Sequence, residues 1–282
     1  MYNNYYSGKI ILVTGGGSGM GRGLCEKLAA CGATVICTDI NMVNANETIA
    51  LVKQNGNQAA ARKLDVSVLQ DFEEVINDIV KEHGRIDMIF NNAGIGISGE
   101  LRDLTIEHWK KVMDINFYGV LYGSQIAYRH MIKQGSGHII NTSSLAGLVD
   151  CIPLIAPYSA SKQAVVNYTR ILRFEAKAFN IRASIVCPGL IDTPIFNALE
   201  AVNAKDGWTE HSTKAFAPGV PVNVAVNYIL KGVAKNKEII LFPFLARFIL
   251  LFSKYFKGLY KKETQKSLKD YRTNYRINGD SV

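Results

Sequence analysis

A tyrosine and a lysine four residues apart, Tyr158 and Lys162, could together take a proton from an alcohol. They lie in the helical stretch Tyr158–Val166 (YSASKQAVV), where a spacing of four puts both side chains on one helix face. A free tyrosine, with a pKa of about 10, is a poor base at neutral pH. An adjacent ammonium group favours the phenolate and lowers that pKa, which suits the pair to general acid–base chemistry. Alone, the same spacing also fits an amphipathic helix with a half-exposed tyrosine and a surface lysine.

A glycine-rich segment near the start of the chain could hold a diphosphate. Thr14–Gly21 (TGGGSGMG) follows the apolar run Lys9–Thr14 and precedes a helical pattern through Leu24 and Leu28. Glycines allow a sharp turn and a close approach of backbone to the phosphates, and the helix that follows points free N–H groups at the anion. A flexible glycine turn is the alternative, but the strand before and the helix after favour a nucleotide site.

These residues must be positioned by strands and helices that alternate along the first two-thirds of the chain. Continuous apolar runs predict strands buried on both faces of a parallel sheet; they are Lys9–Thr14, Ala33–Thr38, Ile86–Phe90, His138–Asn141 and Arg182–Cys187. Between them lie helical patterns such as Val68–His83. The alternation predicts an α/β fold with a doubly wound parallel sheet in one domain.

Composition limits the other classes of function. The five cysteines are scattered and odd in number, which indicates reduced thiols in a cytoplasmic protein. The five histidines have no metal-ligand spacing, so no metal site is expected. The opening residues contain no apolar stretch of a signal peptide. Of the net charge of +8, +6 lies in residues 239–282, among apolar residues and without a nucleic-acid-binding motif.

Four motifs in order make the chain resemble the short-chain dehydrogenase/reductase family from Lys9 to Pro194. They are T-G-x-x-x-G-x-G at Thr14–Gly21, N-N-A-G at Asn91–Gly94, Y-x-x-x-K at Tyr158–Lys162, and Pro188-Gly189 with Thr193. The resemblance implies a Rossmann fold over residues 1–238, with a substrate lid at about 190–220. It also implies an oxidoreductase that acts on CH–OH donors with NAD or NADP and interconverts a secondary alcohol and a ketone. A homodimer or homotetramer is expected.

The acid at the end of the second strand, Asp39, favours NAD(H) over NADP(H). A carboxylate there can accept hydrogen bonds from both ribose hydroxyls, whereas it repels a 2′-phosphate. No basic residue follows at Ile40, and Ser18 stands where the family's NADPH users often carry a basic residue. Asp39 as a helix cap or surface acid is the alternative. Asp65 resembles the acid that contacts adenine, and a capping role at the end of the strand is the alternative.

The resemblance implies a cofactor-binding set drawn from the ends of several strands. Its members are Gly15, Ser18, Gly19, Met20, Gly21, Asp39, Ile40, Asp65, Val66, Asn92, Ala93, Gly94, Tyr158, Lys162, Pro188, Gly189, Ile191 and Thr193.

The implied catalytic residues are Tyr158, Lys162, Ser144 and Asn116. Ser144 aligns with the serine that orients the substrate oxygen, with Ser143 as the alternative, and a turn-capping role is open for either. Ser144 precedes Tyr158 by fourteen residues, one more than the family's usual spacing, so the substrate-facing loop Leu148–Pro157 is expected to differ in shape. Asn116 resembles the residue that links the lysine to solvent through a water molecule. Lys162 is also expected to hold the nicotinamide ribose.

The C-terminal extension, residues 239–282, is basic and aromatic. Ile239–Lys262 contains no acid, and its apolar stretches are too short to span a bilayer. On one helix, Arg247, Lys254, Lys257 and Lys261 form a basic stripe opposite an aromatic face, which is typical of an interfacial helix. The alternative is an arm packed on its own domain or on a partner subunit. We therefore expect a peripheral membrane location and a lipid-like substrate such as a steroid, retinoid or fatty alcohol. Asn197–Gly219 is expected to close over the substrate.

Two competing functions stay open. A ketoacyl thioester reductase of fatty-acid metabolism would favour NADPH, which Asp39 opposes. A non-catalytic nucleotide-sensing Rossmann protein would be expected to lose Tyr158 or Lys162, and both are present. A serine hydrolase is not favoured, because the chain lacks a G-x-S-x-G motif and a suitably placed histidine. No nucleic-acid partner is expected.

Overall fold

Parallel strands form the central sheet of the computed structural model, which describes residues 3–193, 199–208, 211 and 219–277. Seven strands of this described part pair in the order β3-β2-β1-β4-β6-β7-β9. They are β1 (Ile10–Thr14), β2 (Thr34–Asp39), β3 (Ala59–Lys63), β4 (Met88–Asn91), β6 (Gly137–Thr142), β7 (Ile181–Pro188) and β9 (Ile239–Phe242). A separate parallel pair joins β5 (Ile97–Ser98) to β8 (Glu200–Ala201). The strand order reverses beside β1, which makes the gap between β1 and β4 the switch point where such sheets bind ligands.

Helices cover both faces of the sheet. They are α1 (Asn3–Tyr6), α2 (Gly19–Ala30), α3 (Met42–Gln54), α4 (Leu69–His83), α5 (Ile106–Met113), α6 (Gly119–Gln134), α7 (Ala156–Ala176), α8 (Val222–Ala234), α9 (Phe244–Tyr255) and α10 (Lys257–Asp270). One core lies between the sheet and α2, α3 and α8. The other lies between the sheet and α4, α6 and α7. The doubly wound, single-domain α/β fold predicted from the sequence is therefore confirmed.

The two outer strands of the sheet differ from the sequence expectation. β3 (AAARK) is partly exposed at an edge of the sheet, so it lacks the apolar run by which the inner strands were predicted. β9 pairs with β7 from Ile185↔Ile239 to Pro188↔Phe242. The sheet thus takes its last strand from residues that the sequence placed after the boundary at 238, because IILF continues directly into the apolar helix that follows.

A buried histidine lies at the amino end of the sheet, far from the glycine-rich segment. His138 is the second residue of β6; its Nδ1 is 3.1 Å from the Tyr5 hydroxyl and its Nε2 is 2.9 Å from Ser184 Oγ. Ser184 donates its proton to the carbonyl of Lys237 at 2.6 Å, so Nε2 is the donor to Ser184 and Nδ1 accepts from Tyr5. Burial lowers the pKa of His138 to about 3, which keeps the ring neutral.

The C-terminal extension is split into two helices. The predicted continuous basic stripe is interrupted at Phe256, which has φ −115° and ψ 48° between α9 and α10. None of the described helices is long and apolar enough to cross a membrane. A π-helical turn, Tyr271–Tyr275, follows α10 and packs Tyr271 against Trp208 and Leu154. Arg272 of this turn pairs with Glu100, and Arg276 pairs with Asp103 at 3.0 Å.

Candidate active site

The glycine-rich segment turns tightly between β1 and α2. Gly15 has φ +62° and Gly19 has φ +48°, a backbone region that favours glycine. A β-carbon on Gly21 would lie 1.9 Å from the carbonyl oxygen of Gly15. Ser18 is the N-cap of α2, yet its side chain caps no backbone N–H group. The first turn of α2 therefore keeps donors for an anion, beside a cradle that side chains would fill.

Residues that the sequence argument did not single out fix the shape of this segment. Arg22 donates from Nε and Nη2 to the carbonyl of Gly17 at 3.1 and 2.6 Å. Thr48 donates to the carbonyl of Gly16 at 3.0 Å. Arg22 is five residues from Gly17 and Thr48 is 32 residues from Gly16, and neither contact belongs to a sequence motif quoted above.

Asp39 lies at the carboxyl end of β2, directly beside the glycine-rich segment. Its Oδ2 accepts the N–H of Gly17 and its Oδ1 the N–H of Asn41, both at 2.9 Å. A carboxylate has further lone pairs, so these bonds leave it able to accept from ribose hydroxyls. Ile40, the next residue, is exposed. The N-cap of α3 is Asn41, whose side chain accepts from Val43 and Asn44, so Asp39 is not the cap of that helix.

Asp65 and Val66 follow β3 at the same edge of the sheet. Asp65 Oδ1 accepts from the backbone and the hydroxyl of Ser67, at 2.9 and 2.6 Å. This is the capping role that the sequence left open, and the carboxylate's remaining lone pairs still allow a contact with a ligand. Val66 is buried against α6, where a β-carbon on Gly119 would touch its carbonyl oxygen.

Thr14 ties the glycine-rich segment to the N-N-A-G motif after β4. Its Oγ1 accepts the N–H groups of Asn92 and Ala93, at 3.0 and 3.1 Å. The amide of Asn92 donates to the carbonyl of Thr14 at 3.1 Å. The two strands that flank the switch point are thus locked together where the predicted cofactor residues of both lie.

Tyr158 and Lys162 lie on one face of α7, as their spacing predicts. Lys162 is 3% exposed, donates to the carbonyl of Thr142 at 3.1 Å and places Nζ 5.6 Å from the centre of the Tyr158 ring. Burial lowers the pKa of Lys162 to about 8. The pKa of Tyr158 is raised, because burial outweighs a hydrogen bond with Ser144 that lowers it. The four-residue spacing predicts that the lysine lowers the pKa of Tyr158; in the protein without cofactor, desolvation of the phenol is the larger effect.

The two candidate serines at the end of β6 point in different directions. Ser143 is buried and donates to the carbonyl of Lys162 at 2.8 Å, which ties β6 to α7. Ser144 is partly exposed, and its hydroxyl lies close enough to Tyr158 to lower the pKa of the phenol in part. It also accepts the N–H of Ala146 at 3.2 Å, the turn-capping contact. The geometry thus brings Ser144, and not Ser143, to the tyrosine.

Asn116 lies in a π-helical turn, Asp114–Tyr118, between α5 and α6. Its amide group bonds with both backbone groups of Ile95, at 2.8 and 3.0 Å, and donates to Ser161 at 3.2 Å. A β-carbon on Gly94 would lie 3.1 Å from Asn116 Oδ1 and 3.3 Å from Lys162 Nζ. Asn116 and Lys162 therefore meet across Gly94, and both depend on that position being a glycine.

The end of β7 closes the site on the far side of the switch point. Gly189 donates to the carbonyl of Phe242 at 2.7 Å, and Ile191 bridges to Val220. Pro188 is buried in β7, and Thr193 is the last described residue before a gap. Much of the predicted lid at 190–220, including 194–198 and 212–218, lies outside the described residues, although 199–208 contributes β8.

Together these residues can hold a dinucleotide and move a proton. The glycine cradle and the N-terminus of α2 suit a diphosphate, Asp39 suits a ribose, and Tyr158 with Lys162 lies at the carboxyl ends of the central strands. The residues present therefore fit a nicotinamide dinucleotide.

Comparisons with known proteins agree with this geometry. The sequence profile described as short chain dehydrogenase matches residues 9–204. The chain is 34% identical over 199 residues to the cyclohexanol dehydrogenase of Acinetobacter sp. (strain SE19), which covers 70% of this chain and 79% of that protein. It is 37% identical over 187 residues to the cyclopentanol dehydrogenase of Comamonas sp. (strain NCIMB 9872), covering 66% and 74% of the two chains.

A solved structure shows the same fold over nearly the whole chain. The short chain dehydrogenase/reductase from Burkholderia phymatum in complex with NAD superposes with a TM-score of 0.77, covers 98% of both chains and is 23% identical in sequence.

Proposed function

The chain belongs to the short chain dehydrogenase family of oxidoreductases, and we propose that it moves a hydride between NAD(H) and a hydrophobic molecule, interconverting a secondary alcohol and a ketone. One observation carries the proposal. Ser144, Tyr158 and Lys162 meet at the sheet edge that also carries the glycine cradle. This arrangement supports a proton acceptor for an alcohol beside a site for a dinucleotide.

Each side chain has a distinct role in this proposal. Ser144 donates a hydrogen bond to the substrate oxygen and holds it beside the phenol of Tyr158. When bound, oxidised NAD would supply the acceptor for the hydride that leaves the alcohol carbon. Tyr158 takes the hydroxyl proton, so the alcohol loses one hydride and one proton to become a ketone. Lys162 holds the nicotinamide ribose, and its ammonium charge favours the phenolate. Asn116 supports the lysine from across Gly94.

The position of Asp39 supports NAD(H) as the preferred cofactor. Its carboxylate accepts from the glycine-rich segment at 2.9 Å, so a ribose bound beside that segment would lie against a negative charge. A 2′-phosphate at the same place would be repelled.

The surroundings of Ser144 support a hydrophobic substrate. Leu145 and Val149, just after the serine, join an apolar cluster with Ala246 of α9, and Leu154 joins another with Trp208. The names of the two relatives, cyclohexanol and cyclopentanol dehydrogenase, are those of cyclic secondary alcohols, which agrees with a compact apolar site. Steroids, retinoids and fatty alcohols extend this class to larger molecules.

A panel of alcohols and ketones with NAD and NADP tests the proposal. Cyclic, steroid, retinoid and fatty substrates are run in both directions, and the absorbance of the reduced cofactor is followed. We expect turnover with NAD that falls at least about a hundredfold in Tyr158→Phe, in line with the loss of a general base, while NAD binding is kept. No turnover of any alcohol, or a preference for 3-ketoacyl thioesters with NADPH, would overturn the assignment.

The two serines provide a matched pair of variants. Ser144→Ala should lower kcat with little change in NAD affinity, because the hydroxyl that is lost is proposed to contact the substrate oxygen and not the cofactor. Ser143→Ala should lower the melting temperature instead, since its hydroxyl joins β6 to α7. If Ser143→Ala lowered kcat as much as Ser144→Ala, the contact to the substrate oxygen could not be assigned to Ser144 alone.

We also propose that the protein assembles as a homodimer or homotetramer. Support comes from α7, which leaves Ile171 and Phe174 exposed on its outer face. Sedimentation velocity of the protein and of Phe174→Glu tests this. A monomeric parent protein would refute it, and an assembly unchanged in Phe174→Glu would exclude this face.

A further inference from the structure

The helix α9 carries apolar side chains on two opposite faces. Its inner face packs Ala246, Ile249 and Leu250 against Leu145 and Val149. Its outer face carries four large apolar residues, exposed as follows: Phe244 81%, Phe248 57%, Leu251 53% and Tyr255 68%. A helix on the surface of a domain normally turns a polar face outward, so the second apolar face has no role in the core.

These four residues, here called the outer stripe, form one row along the helix. Their spacing of four, three and four residues places them within about 60° of one another at 3.6 residues per turn. Two further apolar side chains are exposed next to this row: Phe256, between α9 and α10, and Leu259, in the first turn of α10. A contiguous row of this kind, unlike scattered surface leucines, marks an interaction surface.

The charge beside the outer stripe is positive. Arg247 and Lys254 lie on one flank of the stripe, and Lys257, Lys261 and Lys262 are exposed at the start of α10. The sequence from residue 239 to 262 contains no Asp or Glu. A second copy of the chain docked stripe to stripe by two-fold symmetry would bring these cations against their own counterparts. An anionic lipid surface instead complements both the charge and the apolar stripe.

We propose that α9 and the start of α10 dock on the anionic surface of a lipid bilayer, with the outer stripe in the boundary between headgroups and acyl chains and the basic residues against the headgroups. The inner face of the same helix touches Leu145, the residue after Ser144. Docking would place the candidate active site about one helix diameter, roughly 10 Å, from the lipid. The inference stands independently of the proposed reaction.

Vesicle flotation of the full chain tests the proposal. Vesicles of phosphatidylcholine alone are compared with vesicles that also contain phosphatidylserine. We expect the protein to float with the anionic vesicles and to bind the neutral ones at least tenfold more weakly. Phe248→Ser with Leu251→Ser should weaken binding at least tenfold, because both side chains are exposed in the protein and their loss leaves the core intact.

Two further variants separate charge from apolar contact. The matched control Leu101→Ser with Ile106→Ser removes comparably exposed apolar side chains from another face and should bind vesicles as the parent protein does. Lys254→Gln with Lys257→Gln should weaken binding to anionic vesicles by about fivefold per lysine. Added salt should weaken binding only in part, because the apolar contact is not screened.

The outcomes decide between occupants of the stripe. A parent protein that does not float with anionic vesicles refutes the proposal. So does equal binding by the stripe variant and its control. If sedimentation shows that the stripe variant dissociates an oligomer and the parent does not float, the stripe joins copies of the chain and the proposal is wrong. Thermal melting of each variant checks folding. Failure to oxidise any alcohol would leave the flotation result unchanged, so the two proposals can fail separately.

Discussion

Gly21→Ala perturbs the proposed cofactor cradle at one atom. The added β-carbon would lie 1.9 Å from the carbonyl oxygen of Gly15 and 2.8 Å from the amide nitrogen of Asn92. Real β-carbons essentially never approach another heavy atom closer than 3.0 Å. The obstacle is backbone, not the end of a flexible side chain, so α2 or the turn at Gly15 has to move by about an ångström.

The size of the effect follows from what that movement displaces. Overpacking of this kind costs about 1–3 kcal/mol of folding free energy, which lowers the melting temperature by several degrees. The N–H groups at the start of α2 also leave their positions around the diphosphate. Loss of one hydrogen bond to a charged group costs about 1.5–3 kcal/mol. We therefore expect NAD to bind about 10- to 100-fold more weakly.

Calorimetric titration of NAD, with thermal melting in parallel, measures both effects. Gly258→Ala is the matched control: Gly258 lies in α10 with no heavy atom within 4 Å of its added β-carbon and an ordinary helical φ. This change should leave NAD affinity unaltered and stabilise the helix by about 0.5–1 kcal/mol. A folded Gly21→Ala protein with unchanged NAD affinity would refute the assignment of this turn to the diphosphate.

Three further predictions concern single ionisable groups. The parent protein should bind NAD at least tenfold more tightly than NADP, about 1.4 kcal/mol, and Asp39→Ala should narrow that gap; equal affinities in the parent would contradict the role of Asp39. Burial lowers the pKa of Lys162 from 10.5 to about 8, so the unfolded chain binds more protons between these values. From pH 8 to 10.5, the free energy of unfolding of the parent protein should therefore rise by about 3 kcal/mol relative to that of Lys162→Met. If urea unfolding showed the same pH dependence for both proteins, the buried lysine would not have this effect. The pKa of His138 is lowered from 6.5 to about 3, so the unfolded chain alone takes up a proton below pH 6.5. The free energy of unfolding should then be about 2 kcal/mol lower at pH 5 than at pH 7. In urea titrations of His138→Gln, this difference between the two pH values should disappear.

The inner strands could be predicted from sequence because each is buried on both faces. β1, β2 and β7 lie within a residue or two of their apolar runs, since a strand covered by helices on both sides has no polar side to alternate with. β3 and β9 were not predicted as strands of the sheet. The first is half exposed at an edge, and the second is only four residues long and runs into an apolar helix.

The parts of the candidate site that lie in short sequence motifs could be predicted from the sequence. Contacts between residues far apart in the sequence could not. The glycine-rich turn and the Tyr158–Lys162 pair are local patterns whose geometry follows from their spacing. The bond from Asn92 to Thr14 spans 78 positions and that from Thr48 to Gly16 spans 32, and no spacing rule reveals either contact. The choice between Ser143 and Ser144 depended on which side of the chain faces α7, and only the packed structure sets that direction.

The loop after Ser144, Leu148–Pro157, has one unusual backbone position. Leu154, within Leu148–Pro157, has φ +69°, a conformation that a bulky L-residue adopts only when its surroundings impose it. Its side chain is buried with Trp208 and Tyr271, and its carbonyl accepts the N–H of Gly99 at 2.7 Å. The loop is thus anchored to the C-terminal turn and to the β5 region.

The electrostatics of Tyr158 and Lys162 bear on when the base of the proposed reaction forms. Burial raises the pKa of the phenol and lowers that of the ammonium, so desolvation by the protein favours the neutral form of both groups. Removal of an alcohol proton needs the opposite, a phenolate beside a cation. The positive ring of oxidised NAD would add a second cation to the Lys162 ammonium, and both charges would favour the phenolate. In the proposed reaction the phenol therefore becomes a base in the complex that holds both NAD and the alcohol, because without the cofactor a protonated phenol can donate a hydrogen bond to the alcohol but accept no proton from it.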